Sequence, residues 1–312
     1  GMDLKEEILQ LKKEKNAVIL AHYYVNGDIQ DIADYIGDSL ALAQIASRLE
    51  EPVIVLCGVN FMGETAKILC PDKTVLIPDM EAGCSLADSC KADEFAAFIK
   101  QNPGHTVISY VNTSAAVKAL TDVVVTSSNA RQVVETFPED TPIIFGPDRN
   151  LGSYINSVTG RNMKLWNGAC HVHEQFSVEK IAELKKEYPG AKVLVHPECK
   201  GQVLALADKI GSTAALLDYA VKSDAKEFIV ATESGILHEM QKRCPEKTFI
   251  PAPPADSTCA CNDCAYMKLN TLEKLRDCLR DGKPAMHVDP AIAEKAIRPI
   301  KRMLEISSNH RR

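Results

Sequence analysis

The sequence predicts an α/β protein of three related layer-sandwich units with parallel sheets, arranged around one central active site. Three observations predict it. First, residues 18–24 (VILAHYY), 107–112 (VISYVN) and 193–198 (VLVHPE) are short apolar strands that end in His22, Tyr110 and His196. Second, each of these anchors is followed 17 residues later by a hydroxyl residue, Ser39, Ser127 or Thr213. Third, Cys84, Cys170 and Cys264 stand 62, 60 and 68 residues after the anchors. A period near 86 residues with constant internal spacing describes a threefold repeat that brings three thiols to one place.

The elements follow in order. Residues 3–14 (DLKEEILQLKKE) carry an N-capping aspartate and apolar residues at Leu4, Ile8 and Leu11, an amphipathic helix. After each anchor strand comes a helix, at 39–49, 128–137 and 213–222. A second strand precedes Gly58, Gly146 and Thr232, and helices follow near 63–69, 151–158 and 235–243. A third strand stands at 75–78, 164–166 and 249–251. Strands alternating with helices of this length imply right-handed βαβ units. Their nearly continuous apolar character fits sheets covered on both faces. The expected units are 1–88, 89–174 and 175–265, with C-terminal helices in 266–312 packing back on the first. The stretch 251–264 (PAPPADSTCACNDC) has no periodicity and reads as a mobile loop.

The chain has 312 residues and a net charge of −6, with no basic block beyond its last three residues, which argues against nucleic-acid binding. No apolar run approaches the roughly 20 residues of a membrane helix. The polar, helical N-terminus is not a signal peptide, and Gly1 before Met2 reads as a cloning remnant. A cytoplasmic protein is expected, so its eleven cysteines are read as thiols. Cys57, Cys70, Cys244 and Cys278 fall in strand or helix pattern and read as core residues, whereas Cys90 and Cys199 are ambiguous.

In parallel α/β sheets ligands bind at the carboxyl ends of strands, where His22, Tyr110 and His196 lie. Ser39, Ser127 and Thr213 are expected to begin helices. An ordinary N-cap explains each singly, but the shared offset points to three helix N-termini converging on an anionic substrate. Glu198 lies two residues past His196, on the same side of a continuing strand, and is a candidate general base. Asn112 and Tyr24 are its counterparts, with strand-end packing as the alternative reading. His171 and His173 flank Cys170, and either can approach substrate or order the loop, while His105, His238, His287 and His310 suggest no role. Three cysteines are one short of the usual four ligands of a [4Fe–4S] cluster, which leaves one iron open as a Lewis acid. A zinc or disulfide motif within Cys259, Cys261 and Cys264 is the competing reading, and it ignores Cys84 and Cys170.

At these residues the sequence resembles the quinolinate synthase family, iron–sulfur enzymes of NAD biosynthesis, from about residue 15 to 305. The likeness rests on AHYYVNGDIQDIADYIGDSL from Ala21, FMGETAKIL from Phe61, EAGCSLADSC from Glu81, YVNTSAAVKA from Tyr110, GACHVHE from Gly168, LVHPE from Leu194 and CAYMKLNTLEKL from Cys264. It implies one [4Fe–4S] cluster per chain on Cys84, Cys170 and Cys264. It implies condensation of iminoaspartate with dihydroxyacetone phosphate, then cyclisation with loss of two waters and phosphate. By motif, His22, Ser39, Tyr110, Asn112, Ser127, His173, His196, Glu198 and Thr213 contact substrate, and Tyr24 matches a further active-site position; from their shared placement at strand ends, Tyr24, His196 and Glu198 are expected to move protons. An aspartate oxidase or dehydrogenase is the implied source of iminoaspartate. Relatives often carry C-x-x-C-x-x-C where this chain has Cys259-x-Cys261-x-x-Cys264. Cys264 is taken as the ligand because AYMKLN follows it, with Cys261 and Cys259 as alternatives. The spare thiols would then be free to pair when the cluster is lost.

Overall fold

The computed structural model describes residues 1–255 and 263–309. Residues 256–262, with Cys259 and Cys261, and 310–312 lie outside the described residues. The repeat is present and richer than the sequence pattern suggests. The first unit runs α1 (Leu4–Lys15), β1 (Ala17–His22), α2 (Gly27–Ile32), β2 (Tyr35–Gly37), α3 (Ser39–Ala46), β3 (Val53–Cys57), α4 (Asn60–Leu69), β4 (Thr74–Leu76) and α5 (Ser85–Asp88). The second repeats that order as α6 (Ala92–Lys100), β5 (Thr106–Tyr110), α7 (Ala115–Lys118), β6 (Val123–Val125), α8 (Ala130–Glu135), β7 (Ile143–Gly146), α9 (Arg149–Thr159), β8 (Lys164–Leu165) and α10 (His171–Glu174). The third runs α11 (Val178–Glu187), β9 (Lys192–Val195), α12 (Gly201–Leu204), β10 (Lys209–Ile210), α13 (Thr213–Lys222), β11 (Glu227–Ala231), α14 (Ile236–Arg243) and β12 (Thr248–Pro251), with a 3₁₀ turn at Met267–Leu269 where the others have a short helix. Two helices follow, α15 (Leu272–Asp281) and α16 (Pro290–Asn309).

Each unit therefore has four strands rather than the expected three, in parallel sheets ordered β2-β1-β3-β4, β6-β5-β7-β8 and β10-β9-β11-β12. The additional strands β2, β6 and β10 are sheet edges of two or three residues, too short to show a hydrophobic period. An aspartate twelve residues after each anchor secures them. Asp34 accepts the Ile19 amide at 2.8 Å, and Asp122 and Asp208 accept those of Val107 and Val193 at 2.7 Å. Each carboxylate thus ties its edge to the central strand and sets the register.

The central strands are buried on both faces. In β9 and β11, Val193, Val195, Ile229 and Ala231 pack into one apolar cluster, while Leu194, Phe228 and Val230 belong to the main core. This alternation follows from side chains pointing to opposite faces along a strand. Asp3 caps α1 by accepting the Glu6 amide at 2.8 Å, and Ile8 is fully buried, as the pattern predicts. Of the C-terminal helices, only α16 reaches beyond the first unit. α15 lies against α1, but α16 lies mainly against β6, α7 and α8 of the second unit and also against α4. Its buried Ala296, Ile300 and Met303 give it an apolar face long enough to span both units.

Candidate active site

In a parallel sheet of order 2-1-3-4 the strand order reverses between the first and third strands, and ligands bind at the carboxyl ends flanking that point. The segments after β1, β5 and β9 and after their neighbouring strands in each sheet meet at one cavity of about 240 Å³. All thirteen residues singled out in the sequence line it: Cys84, Cys170, Cys264, His22, Tyr24, Ser39, Tyr110, Asn112, Ser127, His173, His196, Glu198 and Thr213. Among the described residues no lysine or arginine lines it.

The three thiols are placed alike. Cys84 precedes α5, Cys170 precedes α10, and Cys264 precedes the 3₁₀ turn. Each sulfur accepts the backbone N–H three residues on, from Ala87, His173 and Met267. The Asn112 amide approaches Cys84 Sγ at 3.9 Å. Burial pushes the Cys84 thiol up to about 12 and raises Cys170 and Cys264 as well, so without metal all three hold their protons. Among the described residues the three sulfurs do not form a set with all ligand atoms within 4.8 Å of one another. Sulfurs around a single tetrahedral ion lie about 3.8 Å apart, from metal–sulfur bonds of about 2.3 Å. At least one pair of sulfurs is therefore farther apart than around a single tetrahedral ion, whereas an iron–sulfur cluster takes each thiolate on a different iron. Amides aimed at sulfur are a feature of such clusters.

Two imidazoles share one local motif. His22 Nδ1 accepts the Tyr24 amide and His196 Nδ1 accepts the Glu198 amide, both at 3.1 Å. These bonds assign the tautomer with hydrogen on Nε2, a donor. Burial lowers His22 to about 3 and His196 well below its ordinary value, so both stay neutral. His173 stacks on His196 with centroids 4.5 Å apart and is also lowered to about 3 by burial. A hydrogen-bond chain then crosses all three units. His173 Nδ1 lies 3.1 Å from Cys170 Sγ, and its Nε2 lies 2.8 Å from Thr232 Oγ1. The Tyr24 hydroxyl joins Thr232 at 2.8 Å and Thr213 at 2.6 Å.

Glu198 is buried, with Oε2 3.3 Å from His196 Nδ1 and 3.5 Å from His173 Nδ1. Its Oε1 has no hydrogen-bond partner among the described residues. Burial, with the nearby Asp148 charge, raises it well above the carboxylate range. The direction of that shift favours the protonated form of the group that the sequence offers as a candidate general base. Asp148, fully buried, caps α9 through the Leu151 amide at 2.8 Å and is raised to about 7, first by burial. Glu233 accepts the Gly235 amide at 2.7 Å and lies 3.7 Å from Lys268, which also binds the Tyr24 carbonyl at 2.7 Å.

Burial raises Glu233 from 4.5 to about 7, with Lys268 opposing. Between those values the folded protein holds a proton that the unfolded chain has released. The linked stability is fully present below about 4.5 and is lost as pH rises through about 7. Glu233→Gln has no such loss. Its stability relative to the parent is expected to improve by about 1.4 kcal/mol per pH unit across that window, as read by denaturant melts.

One placement differs from the sequence reading. Ser39 and Thr213 are the first residues of α3 and α13, but Ser127 sits in a turn three residues before α8. The caps are their neighbours. Asp38 accepts the Ala41 amide at 3.0 Å and Ser212 accepts the Ala215 amide at 3.2 Å, which leaves Ser39 and Thr213 to face the cavity. In the second unit Asn129 takes the cap position, and its carbonyl oxygen binds the Thr126 amide at 2.7 Å, so a turn precedes the helix. The residues missed were Thr232, Asp148 and Glu233. All follow the third sheet strand of a unit, and the marker positions Gly146 and Thr232 were the available signal.

Gly235 touches the site from behind. A Cβ there would stand 2.6 Å from Tyr24 Cα and 2.8 Å from the Tyr23 carbonyl, backbone that cannot step aside. Gly235→Ala is expected to cost about 1–3 kcal/mol and to lower turnover by shifting Tyr24. Thermal melts and steady-state rates check this, and a wild-type result in both would show the 23–24 backbone is free to move.

Three α/β units that meet end-on at one cavity, each lending it a thiol, define a repeat-built α/β enzyme whose centre belongs to no single unit. The family described as "Quinolinate synthetase A protein" matches residues 6–305. The quinolinate synthase of Microcystis aeruginosa is 60% identical over 305 residues, covering 98% of this chain and 95% of the relative. Those of Thermosynechococcus vestitus and Chloroherpeton thalassium are 59% and 58% identical over 306 residues, covering 98% of this chain and 96% and 95% of theirs. The chain belongs to the quinolinate synthase family.

Proposed function

We propose that the protein condenses iminoaspartate with dihydroxyacetone phosphate and forms quinolinate with loss of two waters and phosphate, for NAD biosynthesis. The observation that carries this is the meeting of three amide-supported thiols, one per unit, at a cavity lined by neutral hydrogen-bond donors. Cys84, Cys170 and Cys264 would hold one [4Fe–4S] cluster. When bound, that group supplies an iron without a cysteine ligand, a Lewis acid that assists loss of water.

The remaining chemistry belongs to side chains. Substrates with carboxylates and a phosphate enter a cavity that no cationic side chain lines among the described residues. Their charge is met by Nε2–H of His22 and His196, the Asn112 amide, the hydroxyls of Ser39, Tyr110 and Ser127, and the start of α13 beside Thr213. The start of α3 suits an anion less, because the Asp38 carboxylate already occupies it. A neutral Glu198 avoids repelling these anions and protonates a leaving hydroxyl. Once ionised, it takes a proton back in the isomerisation and ring closure. Tyr24, fixed by Thr213 and Thr232, is the second proton carrier.

No helix among the described residues is long and apolar enough to cross a membrane. We place the reaction in the cytoplasm, without nucleic-acid or membrane partners, fed by an aspartate oxidase or dehydrogenase. The test is anaerobic purification and assay. Brown protein with about four irons per chain that makes quinolinate from the two substrates supports the reading. Colourless zinc protein without turnover would sink it.

A further inference from the structure

We propose that Cys170, His173 and Glu198 form a site for a single thiophilic divalent cation of the zinc class, distinct in its ligand set from the three-thiol centre. Cys170 and His173 stand three residues apart at the start of α10, a spacing that puts both on one side of a helical turn. Glu198 reaches them from the loop after β9 of the third unit. Their ligand atoms all lie within 4.8 Å of one another, and no other group of three does so among the described residues. Nδ1 of His173 is 3.1 Å from Cys170 Sγ and 3.5 Å from Glu198 Oε2. Tetrahedral zinc, with bonds of about 2.0–2.1 Å to nitrogen and oxygen and about 2.3 Å to sulfur, sets such atoms about 3.3–3.6 Å apart.

Two further observations point to an ion. His173 meets Thr232 through Nε2 at 2.8 Å, and in the tautomer that donates there the Nδ1 lone pair faces the other two ligands. That is the outer support a metal-bound histidine ordinarily has. The buried Glu198 Oε1 lacks a partner, and a carboxylate that ligates an ion no longer depends on one hydrogen bond to offset its burial. Thiolate, imidazole and one carboxylate favour zinc or cobalt over magnesium or calcium. Three protein ligands leave a fourth position for water. Because Cys170 is common to both sets, ion and cluster exclude one another. Only this exclusion rests on the cluster assignment above, and ion binding is measured independently of it.

The probe is cobalt(II) alone, added to the full chain freed of iron and sulfide under anaerobic, reducing conditions. The expected result is saturable binding of one cobalt per chain, with a thiolate-to-cobalt charge-transfer band and the intense visible absorption of a four-coordinate ion, displaced by zinc(II). Cys84→Ser and Cys264→Ser should bind as the parent does. His173→Gln and Glu198→Gln should each bind at least about tenfold more weakly. Circular dichroism establishes that each variant is folded. Binding kept in His173→Gln but lost in Cys84→Ser would put the ion on the three thiols and overturn the proposal. So would the absence of saturable binding to the folded parent.

Discussion

Glu198→Gln is expected to fold, to retain its cluster and to lose turnover by about 10²–10⁴-fold, the usual worth of a positioned acid–base group. The substitution keeps shape. A glutamine amide can face the Nδ1 atoms of His196 and His173, where Oε2 now lies 3.3 and 3.5 Å away. It removes only the ability to give and take a proton. Because burial holds Glu198 well above the carboxylate range, the parent is active with this group protonated, and activity declines on the alkaline side as it ionises. The variant's residual rate should lack that alkaline limb. A pH–rate profile on cluster-loaded protein tests both statements, and unchanged turnover would remove Glu198 from the proton chemistry.

Cys84→Ser, Cys170→Ser and Cys264→Ser should each lower iron from about four per chain to near background and abolish quinolinate formation. A serine hydroxyl ionises far less readily than a thiol. It occupies a position where backbone amides and burial were matched to sulfur. The three variants are expected to behave alike, since each cysteine precedes a helical turn in its own unit. Cys264→Ser carries an extra question, because Cys259 and Cys261 stand nearby in the sequence and lie outside the described residues. A brown, fully active Cys264→Ser would move the third ligand to one of them.

Legibility followed physical visibility. The repeat was readable because strands buried on both faces are apolar without interruption, and because each ended in a chemically marked residue, His22, Tyr110 or His196. The grouping of thirteen residues in one cavity followed from where a parallel sheet presents its strand ends. The edge strands β2, β6 and β10 escaped notice because two or three residues cannot display a period, although Asp34, Asp122 and Asp208 marked them by spacing. Ser127 was assigned to a helix start because its offset matched Ser39 and Thr213, but a turn closed by Asn129 intervenes. The ionisation of Glu198 was not readable, since it depends on Asp148 and on burial created by another unit. Thr232 and Glu233 gain meaning only when the first unit brings Tyr24 and the later segment brings Lys268 beside them.

The sharing of one thiol by each unit also has a temporal side. Cys264 lies 180 residues beyond Cys84, so at about 5–20 residues per second a ribosome makes the last thiol roughly 10–35 s after the first. Units of this kind fold as they emerge, which puts the first two thiols in place while the third is still unmade. A half-formed chain can offer at most two of the three sulfurs. With the three thiols as ligands of the proposed cluster, its loading is an event of the finished polypeptide, and a filled centre would certify that translation reached the third unit.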